Sequence, residues 1–157
     1  MVRPARRSAG LLLHRGEGAS LEVLVGHMGG PYWARKDAGG WSVPKGEHGP
    51  DEEPLAAAAR EFTEELGLPA PDLAAAVPLG EVRQSSGKVV AVWAVAADLD
   101  PASVVPGTFS LEWPPRSGRV QEFPELDRVA WLAPDAARAA LVAYQRPFVD
   151  RLEALLR

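Results

Sequence analysis

Cysteine is absent from the 157 residues. That excludes disulfide staples, thiolate nucleophiles and zinc–sulfur centres, and makes a reducing, cytoplasmic setting the economical expectation. Long apolar runs are missing as well. Leu11, Leu12 and Leu13 follow a basic start, MVRPARR, but three residues are too few for a signal segment or a membrane span. The three histidines, His14, His27 and His48, are scattered, so a histidine-based metal centre is unsupported and core or surface packing is their default role. Neither G-x-x-x-x-G-K-[ST] nor G-x-S-x-G occurs, which sets aside P-loop triphosphatases and serine chemistry on a nucleophile elbow. No internal repeat, long linker or low-complexity tract is visible.

What is present fits one compact domain over residues 1–157. Hydrophobic residues make up 46%, enough for a sizeable core, and the 15 glycines and 15 prolines stay below the level that suggests disorder. A net charge of −4 gives no broad grip on a nucleic-acid polymer, so a nucleotide partner would be a small molecule in a pocket.

Charge is arranged against local stability in one stretch, Gly46 to Leu68, GEHGPDEEPLAAAAREFTEELGL. Pro54 suits the first turn of a helix, Asp51, Glu52 and Glu53 sit at its positive end, and Gly67 supplies the stop. At roughly 100° per residue, Leu55, Ala58, Ala59, Phe62 and Leu66 form a core-facing stripe. Glu65 falls about 40° to one side of Glu61 and Glu64 about 60° to the other, with Ala57 on the same face one turn earlier. Like charges at these spacings cost a few tenths of a kcal/mol per pair, and they lie near the negative end of the helix. Only Arg60 offers relief within the helix. A divalent cation would reverse the sign of the problem, since hard oxygen ligands on one rigid face suit Mg²⁺ or Mn²⁺. The alternative is a solvated acidic face; an EF-hand is excluded because its D-x-D-x-D-G order is missing.

Gly46, Glu52, Arg60-Glu61-Phe62, Glu64-Glu65 and Gly67-Leu68 reproduce the pattern G-x5-E-x7-R-E-U-x-E-E-x-G-U, and on these residues the chain resembles the Nudix hydrolase family. The resemblance implies an α+β fold, a mixed β-sheet sandwiched between helices. It implies that Glu61, Glu64 and Glu65 bind metal, that Arg60 orients them, and that Glu52 supports the loop or reaches metal through water. It makes the main-chain carbonyl of Lys45 or Gly46 a metal ligand, leaving the Lys45 side chain free for phosphate. Trp41-Ser42-Val43-Pro44-Lys45-Gly46 resembles the branch acting on dinucleoside polyphosphates, with Glu47 where that branch tends to have His.

Elsewhere, Ser8 to His14 and Leu21 to His27 read as two strands joined by a Gly-containing turn, and Gly29 to Gly40 as an exposed loop. Tyr32, Trp33, Arg35, Lys36 and Trp41 could supply stacking surfaces and cations for a nucleotide. The alternative is packing for the tryptophans and solubility for Arg35 and Lys36. Val77 to Arg83 and Lys88 to Ala96 read as strands, the second central because its apolar run is nearly continuous. Ala97 to Arg119 is broken by prolines, although Phe109, Leu111 and Trp113 alternate as a short strand would, or as a pocket lining would. Before a strand at Arg128 to Leu132, Glu122 and Glu125 are both candidates for the further carboxylate that the resemblance places there, as metal ligand or general base; their spacing leaves the choice open. Helices are expected over Ala136 to Tyr144 and Phe148 to Leu156, parted by Pro147, with Leu141, Tyr144, Phe148 and Leu152 on the sheet.

The expected function is Mg²⁺- or Mn²⁺-dependent hydrolysis of a phosphoanhydride in a nucleoside diphosphate linked to another group, a dinucleoside polyphosphate or nucleoside triphosphate leading. The rival expectations are a non-catalytic nucleotide-binding module acting through a partner, which the intact set of acids disfavours, and a structural acidic face.

Overall fold

The computed structural model describes residues 5–157. The first four residues of the basic N-terminus lie outside this range. Its main sheet is built on β1 (Arg7–Arg15) and β6 (Val89–Ala96), which run parallel from Arg7 opposite Val89 to His14 opposite Ala96. β5 (Val77–Arg83) covers the outer side of β6 with a bulge between Pro78 and Glu81. β6 is therefore central, as its apolar run requires.

On its other side β1 changes partner. Its C-terminal end pairs with β2 (Glu22–Met28) at His14 and Arg15. Its N-terminal end pairs with β4 (Lys45–His48), from Arg7 opposite His48 to Gly10 opposite Lys45. β2 goes on to pair with β3 (Trp41–Ser42) and β9 (Leu126–Leu132). The sheet thus parts between β2 and β4, and the candidate site opens at that parting.

Helices cover both faces. α1 (Pro54–Leu66) lies on one, where Ala57, Ala58, Phe62 and Leu66 pack against Ala9, Leu11, Leu13 and Leu24. α2 (Pro134–Ala140) and α3 (Arg146–Leu156) lie on the other, where Ala137, Phe148, Val149 and Leu152 meet Leu12, Val23, Val90 and Val92. This is the α+β sandwich expected from the sequence. No helix among the described residues is long and apolar enough to cross a membrane.

α1 starts and stops as its sequence dictates. Pro54 occupies the first turn, Glu53 caps it by accepting from the N–H groups of Leu55 (3.1 Å) and Ala56 (2.9 Å), and Gly67 ends it at φ 68°. Glu53→Ala should cost about 1 kcal/mol, read as a lower urea midpoint at unchanged slope. The buried stripe, however, is rotated from the expected one. Ala57 and Glu65 are buried while Ala59 is only half so, because β4 as well as β1 packs on the helix and covers part of its acidic side.

Three further boundaries differ. Val120–Pro124 forms a strand, β8, paired with β7 (Thr108–Glu112) in a separate hairpin, where a loop with acids was expected. Trp41–Ser42 and Lys45–His48 are short strands that carry too few residues to show a period. The first C-terminal helix stops at Ala140 rather than Tyr144, because Leu141 turns extended and the Val142 N–H donates to the Trp41 carbonyl at 2.9 Å. Pro147 then lies in the first turn of α3, where its missing N–H costs nothing.

Candidate active site

α1 delivers its acids to one side of the parting in the sheet. Arg60 grips Glu52 with two bonds, Nε to Oε2 at 2.7 Å and Nη2 to Oε1 at 2.8 Å. Its Nη1 also donates to Glu61 (2.9 Å) and Glu64 (3.1 Å), and Nη2 reaches the Glu47 carbonyl at 3.4 Å. One guanidinium therefore ties the loop before α1 to two helical acids. The hydrogen bond from Arg60 holds the Glu52 carboxyl below its usual range, and the same acids hold Arg60 firmly charged.

Glu61 lies against the backbone of Gly46, where any Cβ would overlap its carboxylate. A side chain at position 46 would therefore displace the Glu61 carboxylate. Burial pushes the Glu61 carboxyl up and the charge of Glu64 adds to this, against the pull of Arg60. Glu65 is only 7% exposed. Burial raises it most, Lys45 opposes, and the like charges of Glu125 and Glu61 raise it further, to about 8. Glu125, between β8 and β9, is raised by burial and then by Glu61 and Glu64. Four carboxylates from two parts of the chain share one electrostatic neighbourhood.

Of the two candidate acids before the last strand, the structure places Glu125 beside the helical acids. Glu122 sits opposite Ser110 in the β7–β8 hairpin and is exposed to solvent. The unrecognised strand β8 is what separates the two. Glu125 is also fixed through its backbone, accepting from the Gly29 N–H at 3.0 Å and donating to the Gly107 carbonyl at 2.8 Å.

Beside Glu65 and Glu125 lies a cleft of about 290 Å³ lined by Met28, Trp33, Ser42, Lys45, Phe109 and Leu126. Trp33 and Lys45 were expected at a binding site and are here. Lys36 lies 5.0 Å from the centroid of the Trp33 ring, and Arg35 beside it is exposed on the same loop. Tyr32 is 61% exposed and meets Trp113 of the hairpin edge to face, centroids 5.2 Å apart. Trp41 is a correction. It is buried in the core beneath α2, with its indole N–H on Asp37 (3.0 Å) and its ring under Arg128, so it packs and offers no face to a ligand.

Sequence reasoning gave no role to Gln145, which is fully buried between α2 and α3. Its Oε1 accepts the Val43 N–H at 2.8 Å and its amide donates to Ser42 (2.9 Å) and Tyr144 (3.0 Å), which pins the strand segment leading into Lys45 and Gly46. No sequence signal marks a glutamine about 100 residues away from its partner.

Glu61, Glu64, Glu65 and the carbonyl of Lys45 or Gly46 are expected to hold a metal, with Glu52 reaching it through water or supporting the loop. Among the described residues, no three His, Cys, Asp or Glu side chains converge closely enough to do so as they stand. Glu52, Glu61 and Glu64 are each bonded to Arg60 instead. The donor set still fits a hard divalent cation: all of it is oxygen, and the charges of Glu61, Glu65 and Glu125 oppose one another's ionisation.

The family model for the NUDIX domain matches residues 4–152. No curated protein matches the sequence. Among solved structures, a MutT protein from Methanosarcina mazei aligns at a TM-score of 0.63 with 22% identity, covering 99% of this chain and 97% of that one. A C. elegans Ap4A hydrolase in a binary complex aligns at 0.62 with 21% identity, covering 97% and 98%. The NUDIX domain of Shewanella oneidensis NrtR, solved with ADP ribose, aligns at 0.65 with 14% identity over 99% and 91%. The match to nearly the whole chain, the shared architecture and the intact acidic motif on α1 agree, and the chain belongs to the Nudix family.

Proposed function

We propose that the chain is a divalent-cation-dependent pyrophosphohydrolase acting on a nucleotide, a dinucleoside polyphosphate or nucleoside triphosphate foremost. The observation that carries this reading is the placement of Glu65 and Glu125 in a cleft that Trp33, Phe109 and Lys45 also line, with Glu61 and Glu64 near enough to act on them by charge. The similarity to a C. elegans Ap4A hydrolase supports the dinucleoside substrate. Mg²⁺ or Mn²⁺ would be held by Glu61, Glu64 and Glu65 with a carbonyl of Lys45 or Gly46, and when bound would neutralise charge on the phosphates and acidify a water.

The chain's own groups supply the rest. Trp33 offers a ring to a base, and Lys45 a cation to a phosphate oxygen. Water adds to phosphorus, the bridging P–O bond breaks, and a proton must leave the water; Glu125, which lines the cleft and is not among the acids that would hold the cation, is placed to accept it. Arg60 orients Glu61 and Glu64 and keeps Glu52 in place.

A panel of nucleotides incubated with and without Mg²⁺, with products separated by chromatography, tests this directly. Turnover in Mg²⁺ that vanishes with chelator is expected, and none on any nucleotide would overturn the reading. Trp33→Ala should raise KM about tenfold with kcat little changed, since one stacked base is worth roughly 1–3 kcal/mol. A second reading is a non-catalytic nucleotide-binding module acting through a partner, with which the bonds of Arg60 to Glu61 and Glu64 are equally compatible. Nucleotide binding without product release in Mg²⁺ would establish it.

A further inference from the structure

The Trp33 wall of the cleft has no regular structure of its own to fix it. It belongs to residues 29–40, a run of turns between β2 and β3. A stacking ring on such a loop needs an anchor, and the anchor is in β2. His27 is 1% exposed, and its Nε2 lies 2.6 Å from the Lys36 carbonyl. A carbonyl oxygen only accepts, so Nε2 carries a proton and donates. The Lys36 N–H in turn donates to the Trp33 carbonyl at 3.0 Å, so the path from His27 to Trp33 is one backbone turn.

The imidazole is itself held. Its Nδ1 is 3.0 Å from both oxygens of Asp127, which also accepts from Arg128 at 3.1 Å. Trp41 meets the ring edge on at 5.4 Å and bonds Asp37 further along the same loop. Asp127 follows Glu125 by two residues, and the loop's first residue, Gly29, donates to the Glu125 carbonyl at 3.0 Å. Both ends of this arrangement therefore converge on the segment that carries the cleft acid.

We infer that His27 is a positioning residue that sets substrate affinity by fixing the Trp33 wall relative to Glu125. The inference rests on the hydrolase reading above. It acts on binding and leaves the acids of α1 untouched, so its signature is in KM rather than kcat.

The test compares His27→Phe with His27→Gln on the nucleotide the wild type turns over. Phe keeps a ring against Trp41 but cannot donate; Gln carries an amide nitrogen close to where Nε2 stood. Phe should raise KM about tenfold with kcat within about twofold, and Gln should restore KM to within about threefold, the scale of one buried hydrogen bond. An unchanged KM in the Phe variant, or equal impairment of both, would overturn the inference. If the Phe variant fails to fold, Asp127→Ala frees the imidazole from its other side; the same rise in KM is expected, and a parental KM would count against the anchor. If the wild type releases no product from any nucleotide, the hydrolase reading fails and the anchor is read by iodide quenching of Trp33 fluorescence, each protein referenced to its Trp33→Phe counterpart. Quenching should rise about twofold in the Phe variant and stay near parental in Gln, because a loosened loop exposes its ring. Equal quenching in both would refute it.

Discussion

Glu65→Gln is expected to lower kcat by about a thousandfold at saturating nucleotide and Mg²⁺ while the domain stays folded. The amide is the same size and fills the same space, so packing against β4 survives. What is lost is an anionic oxygen at the cleft edge, one of those that would hold the cation. Stability should move the other way, because the wild-type carboxyl is 7% exposed and raised by Glu125 and Glu61. Removing the ionisable group relieves burial and repulsion, a cost that grows as pH rises toward about 8, so in chelator Tm should match the parent's at acid pH and exceed it by about 3 °C at higher pH, the shift that roughly 1 kcal/mol gives in a chain of this size. Single-turnover rates and calorimetry on the same sample separate the two effects. A variant with parental kcat would remove Glu65 from the chemistry.

Gly46→Ala is the second large effect. A Cβ at Gly46 falls on the Glu61 carboxylate, and the neighbour that must give way is also tied to Arg60. Displacing Glu61 disturbs the bonds from Arg60 to Glu52 and Glu64 in turn, so one methyl group unsettles the whole acidic face. The expected result is a fall in kcat of about a hundredfold and a loss of about 2 kcal/mol, the usual scale of overpacking. Gly49→Ala is the control, since a Cβ there meets nothing within 4 Å. If Gly46→Ala behaves like Gly49→Ala, the seat of Glu61 is of no consequence to the reaction.

How far the sequence could be read depended on whether a residue's role is local. The ends of α1 and its acidic cluster were legible, because Pro54 and Gly67 mark the termini and the acids declare themselves by repelling one another within the helix, whereas the rotation of its buried face was not. β6 was legible because a strand buried on both faces must be apolar throughout. Trp41 was not: an aromatic after a glycine pair looks exposed, and only its pairing with β2 and its bridge to Leu141 bury it. Glu122 and Glu125 could not be told apart while β8 went unseen, and β8 has no apolar period because it touches little besides β7. His27 and Gln145 were opaque for a different reason. Their partners Asp127 and Val43 lie 100 and 102 positions away, so neither spacing nor composition near them records the contact.

The parallel ladder between β1 and β6 joins segments about 80 residues apart, and α1 lies inside that interval. Closing so long a stretch of chain is slow, because entropy must be surrendered before any contact is made in return. A ribosome-bound chain that has exposed α1 but not yet β6 holds every acid of the motif and the strands β1 to β4, but lacks the central strand and the segment that carries Glu125. Competence therefore arrives late in synthesis and all at once, and fragments ending before β6 should be inert.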